Sequence, residues 1–138
     1  MRHLQELAAF LSVHLGRRPG IMWAEEDHPA YLDTVTAADL DALADGITRL
    51  TGHTARCIRP DDISHVSRTT EGTACTHTLV HQTAGAGSWQ LRAAPDTPPT
   101  LRCRLLPGEV LYIPPGHTWT TELTAHARYL LTYLDEQS

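Results

Sequence analysis

With 138 residues, 41% of them apolar, and 11 Lys and Arg against 16 Asp and Glu for a net charge of −5, the chain has the length of one domain built on one core. Its ordinary apolar content, free of long polar tracts, excludes a disordered chain. The negative balance and the scattering of its arginines exclude a nucleic-acid backbone as partner.

In chain order, Leu4, Leu7, Ala8, Leu11 and Leu15 form a helical stripe broken by polar residues. The segment reads as an amphipathic helix and neither as a signal peptide nor as a membrane span, so a cytoplasmic location and no membrane partner are expected. Gly16 and Pro19 stop the pattern, and "IMWA" then reads as a short buried strand. After the polar loop "EEDHPAY", "TAADLDALADG" predicts a second helix, with Thr36 as N-cap, Asp39 as its capping-box partner and Gly46 as terminator.

From Thr51 onward the character changes. "HTARCIRP", "HVSRT", "ACTHTLVHQT", "SWQLRAA", "LRCRLL", "EVLYIPP", "TWTTEL" and "ARYLLTYL" are short runs rich in β-branched and aromatic residues, each closed by Gly, Pro or Asp. Spaced at roughly ten residues, they predict an antiparallel sandwich or barrel. "APDTPPT" lies inside this series and reads as a connection between strands. The expectation is a single domain over 1–138, helical over 1–50 and β over 51–138. Cys57, Cys75 and Cys103 are odd in number and contain no CxxC pair, which favours small buried thiols over a disulfide framework.

Two stretches resemble a known family. "QTAGAGSWQL" (Gln82 to Leu91) resembles the strand, turn and strand of the cupin-like JmjC family of iron and 2-oxoglutarate hydroxylases, which reads Gln, apolar, any, Gly, any, Lys, any, Trp. "LLPGEVLYIPPG" (Leu105 to Gly116) resembles that family's later hairpin, with Glu109 in the place of an Asp. The early "HLGRRPGI" and the "DLDALAD" helix fit the same order. The resemblance implies a mainly β fold, a double-stranded β-helix of the cupin, jelly-roll-like kind, preceded by one or two helices.

The resemblance also implies where iron would sit: a His-x-Asp on one strand and a distal His on another. Counted from the two motifs, those slots fall on Gly72, Ala74 and Trp119, and the Lys that pairs with the 2-oxoglutarate carboxylate falls on Gly87. None of the four carries the family's functional group, so no cofactor is expected. The alternative is a transition metal, Fe or Zn, on relocated ligands: His77, His117 and Cys75. Strand geometry weighs against part of that set. His77 and His81 are roughly 13 Å apart on a strand, and if Gly72 and Ala74 point inward, Thr76 and Thr78 continue that face while Cys75 and His77 point out. His117, two residues before Trp119, shares the inward parity.

Trp119 either fills the vacated volume as core or offers a flat apolar face to a ligand beside the small Gly72, Ala74 and Gly87. Gln82, Thr76, Thr78 and Tyr112 are the polar candidates to orient a ligand, and His117 is the candidate catalytic group because its ordinary pKa suits proton transfer. "RPDDISH" and "EEDH" read as solvated turns. There is no Gly-rich phosphate loop and no GxSxG.

Three functions follow as expectations. The first is a cupin that binds a small organic molecule in its barrel, with metal-independent acid–base chemistry of the cyclase, lyase or isomerase kind. The second is an oxygenase with relocated ligands. The third is an accessory module that pairs as a homodimer, as the resemblance implies. The shortness of the chain after its last strand favours a small-molecule partner over a macromolecular target.

Overall fold

The computed structural model describes residues 9–15, 19–22, 37–59, 69–94, 96–124 and 127–135. The expected N-cap Thr36, the loop "EEDHPAY" and most of "RPDDISH" and "HVSRT" lie outside them. Helix α1 covers residues 9–14, and Leu11 is its buried residue. Helix α2 (Ala37–Thr51) presents Leu40, Leu43 and Ile47 to the same cluster as Leu11, the three- and four-residue spacing that gives a helix one apolar face. The helix does not stop at Gly46 as expected. Burying Ile47, 1% exposed, is worth about 1.5–3 kcal/mol, more than the roughly 1 kcal/mol that a glycine costs inside a helix. The stop comes instead at Gly52, which turns with φ 78° and donates its N–H to Thr48 O at 2.9 Å.

The rest is two antiparallel sheets. One has five strands in the order β1 (Gly20–Met22), β7 (Val110–Ile113), β4 (His77–Ala84), β9 (Arg128–Leu134), β2 (Ala55–Ile58). The other has four, in the order β3 (Thr69–Thr73), β8 (Thr118–Leu123), β5 (Gly87–Arg92), β6 (Leu101–Leu105). This is the sandwich form of the expected double-stranded β-helix, in which, from β2 onward, each strand passes to the other sheet except at the β5–β6 hairpin. Seven of the eight sequence runs contain a strand. The eighth, "HVSRT", touches only the start of β3, whose "TTEGT" has too few apolar residues for the pattern to register.

Alternation along each strand divides the core in two. Val80, Leu111, Ile113 and Tyr129 face the interior between the sheets, where they meet Trp89, Leu91, Leu105 and Leu123 of the four-stranded sheet. Leu79, Val110, Tyr112, Leu130 and Leu134 face the other way, onto α1 and α2. Among the described residues no helix covers the four-stranded sheet, and β5 alternates between buried and accessible residues.

Two turn glycines differ in what surrounds them. Gly85, in the β4–β5 turn, has φ 65°, and a Cβ there would stand 2.8 Å from Ala127 Cα. Gly116, between β7 and β8, has φ 85° with open space around it. Gly116→Ala is expected to lower stability by about 1 kcal/mol through its backbone alone, and Gly85→Ala by about 2–3 kcal/mol because the backbone of Ala127 must also move. Chemical denaturation of the two variants measures the difference; equal losses would refute the contact argument.

Candidate functional site

The interior opens into a cavity of about 680 Å³ bordered by both sheets. On the four-stranded side, Gly72 of β3 and Trp119 of β8 are direct cross-strand partners. The Trp119 indole lies across the glycine, its Cζ2 2.7 Å from where a Cβ on Gly72 would stand. Any side chain at position 72 therefore has to displace it. Trp119 also sits 5.4 Å from the ring of Trp89, which meets Tyr129 edge-on at 5.9 Å. These rings form an aromatic wall, and Ala74 borders the cavity beside them.

From the five-stranded sheet the cavity receives Thr78, Val80, Ile113, Leu131 and Tyr133, all on the inward parity. The bend at 75–76 between β3 and β4 breaks the alternation, so both Cys75 and Thr76 reach the cavity. Thr76 Oγ1 donates to Leu134 O at 2.6 Å and Thr78 Oγ1 to Thr76 O at 3.1 Å, leaving the oxygens of both hydroxyls to accept. Burial pushes the Tyr129 phenol up, so this ring stays neutral. Arg56, Ile58 and Cys75 are exposed as well as cavity-lining and mark its mouth.

The expected site residues thus divide. Gly72, Ala74, Thr76, Thr78 and Trp119 come together around the cavity. Tyr112 does not: it is fully buried on the opposite face of β7, its hydroxyl 2.8 Å from His77 Nδ1. Gln82 and Gly87 are inward but lie outside the cavity's described lining. A Cβ on Gly87 would stand 2.8 Å from Leu123 Cδ2, 3.0 Å from Trp89 Nε1 and 3.6 Å from Gln82 Oε1. Leu123 has taken the room the glycine leaves. Gln82 turns its amide nitrogen to Ala84 O at 2.8 Å. His117 flanks the site through its backbone, its carbonyl accepting from Ala74 N at 2.9 Å. Its Nδ1 is buried without a hydrogen-bond partner among the described residues.

Sequence reasoning missed Tyr129, Leu131, Tyr133 and Arg56. The first three alternate in "ARYLLTYL", a usable signal once the inward face is known. Arg56 carried none, because a four-residue strand with alternating moderate burial does not declare its face.

The residues do not fit the family's iron site. Gly72, Ala74 and Trp119 offer no side-chain oxygen, sulfur or imidazole nitrogen to a metal, and the indole occupies the space in front of Gly72. The relocated set is dispersed. His77 faces the helical layer with Tyr112, while Cys75 lies at the cavity mouth. Among the described residues no three His, Cys, Asp or Glu side chains group to hold a metal.

Comparison with protein-family models gives no match, and no curated protein matches the chain. Solved structures do. YcfD, a ribosomal oxygenase from Escherichia coli, superposes with a TM-score of 0.62 at 12% identity over 96% of this chain and 53% of its own. The same protein in complex with cobalt and 2-oxoglutarate gives 0.61 at 12% identity, over 96% and 52%. Acireductone dioxygenase from Bacillus anthracis, with cadmium in its active centre, gives 0.52 at 10% identity over 96% and 84%. The chain spans about half the length of YcfD.

If Gly72, Ala74 and Trp119 occupy the three ligand positions, writing the triad back should create a metal site. The combined variant Gly72→His, Ala74→Asp, Trp119→His is expected to bind Co(II) with a visible absorption band that the parent chain lacks. A folded variant without that band would overturn the assignment of these positions.

Proposed function

From a cupin fold of the JmjC-like kind, we propose that this chain binds a small organic molecule between its two sheets. The observation that carries the reading is the cavity itself: about 680 Å³, inside the range of roughly 300–1,000 Å³ typical of ligand sites, with an aromatic and aliphatic wall and few polar groups. An accessory barrel with no ligand would gain by closing this space, since an apolar void forfeits packing. An oxygenase on relocated ligands is disfavoured by the outward turn of His77.

A second reading adds acid–base catalysis by His117, with Trp119, Thr76 and Thr78 orienting the substrate. The buried His117 Nδ1, without a hydrogen-bond partner among the described residues, favours it. Against it, the described lining carries no Asp, Glu, His or Lys, and His117 is not part of it. Binding without chemistry is the better supported form.

Cys75 at the mouth is a built-in reporter. Burial pushes the Cys103 thiol up to about 11 and also raises that of Cys57, so at neutral pH both hold less of the reactive thiolate than an exposed cysteine. A disulfide reagent should therefore label Cys75 first. The uncharged fluorophore N-phenyl-1-naphthylamine is expected to bind, to slow Cys75 labelling at least about 5-fold, and to bind about 10-fold more weakly to Trp119→Ala, a loss of roughly 1.4 kcal/mol. Unprotected Cys75 with no fluorescence gain would sink the reading.

A further inference from the structure

We infer that the ligand of this cavity is an amphipathic anion, an apolar body ending in a carboxylate, sulfonate or phosphate that Arg56 receives at the mouth. The inference rests on the reading of the cavity as a ligand site and names the chemical class that enters it.

Charge is the first ground. Among the described residues that line the cavity, Arg56 alone is charged, and no carboxylate stands with it. Most of the remaining wall is aromatic or aliphatic, with Thr73, Thr76, Thr78, Tyr129 and Tyr133 as the hydroxyls. A body polar all round would find little to compensate its desolvation there, and a cation would meet the like charge of Arg56 at the mouth. An anion with an apolar tail finds one matching charge and otherwise apolar surface.

Presentation is the second ground. Arg56 belongs to β2, at the end of the five-stranded sheet, and is paired in register with Tyr133 of β9. Its guanidinium carbon lies 5.4 Å from the centre of the Tyr133 ring. Stacking a guanidinium on an aromatic face limits its motion but leaves its N–H edge free to meet an oxyanion with two parallel bonds. Among the described residues Arg56 has no ion pair that would use that edge up. Tyr133 also lines the cavity, so the cation is held over the wall of the site. Its place on β2 differs from Gly87, the slot where the JmjC resemblance would put a carboxylate-binding lysine. The inferred anion thus enters by a different part of the fold.

Two fluorophores that differ in one group separate this inference from the reading beneath it: 8-anilinonaphthalene-1-sulfonate and its uncharged parent N-phenyl-1-naphthylamine. Each is titrated into the full chain and into Arg56→Met and Arg56→Lys, with Cys75 labelling followed to confirm occupation of the cavity. The sulfonate is expected to bind about 10-fold tighter than the neutral probe at low salt, an advantage that shrinks as ionic strength rises. Arg56→Met should weaken the sulfonate about 10-fold and move the neutral probe less than about 2-fold, and Arg56→Lys should fall between. Equal binding of the two probes, or equal weakening of both in Arg56→Met, overturns the anion while leaving the cavity as a ligand site. Failure of both probes to bind or to protect Cys75 overturns the cavity reading and the anion with it.

Discussion

Burial of the five-stranded sheet on both faces governs the rest of this molecule. Every residue on β4 is at least partly buried, so each side chain there must face either the barrel interior or the layer under α1 and α2. On either face an unpaired polar group costs about 1–3 kcal/mol. The outward polar residues find partners across the strands. His77 Nδ1 lies 2.8 Å from the Tyr112 hydroxyl, His81 Nε2 lies 2.8 Å from Thr132 Oγ1, and the same hydroxyl lies 3.0 Å from Cys57 Sγ. His77 and His81 are thereby taken up in the packing between the sheet and its helical cover.

The inward face has the opposite character. It collects aromatic and aliphatic groups, and it stays open at one end because small residues stand where a longer side chain would reach in. Gly72 and Ala74 leave room, and the Trp119 indole takes part of it by lying on Gly72. The ring packs against the opposite strand and also borders the cavity. At Gly87 the equivalent room is gone, filled by Leu123 and the edge of Trp89.

The legible part of the sequence was local. Turn residues and apolar or β-branched runs located eight of the nine strands to within a few residues, and the two hairpin motifs pointed to a double-stranded β-helix that the similarity to cupin structures supports. Parity correctly turned Thr78 inward and His77 outward. It could not place Cys75, because the bend before β4 resets the alternation. Nor could it separate Tyr112 from Ile113, since "VLYI" is buried at every position and both parities look alike when both faces are covered.

By itself the sequence determined most strand positions, a mainly antiparallel β class and the residue types Gly72, Ala74 and Trp119 at the positions marked by the JmjC resemblance, because each of these depends on residue type and short spacing. The tertiary structure decided which face of each strand looks into the cavity, and that Arg56 and Tyr133 stand together at its mouth. These depend on the register between β2 and β9, strands whose paired residues are more than seventy positions apart. No periodicity within either strand encodes that register. It is set by packing against the helices on one side and the second sheet on the other.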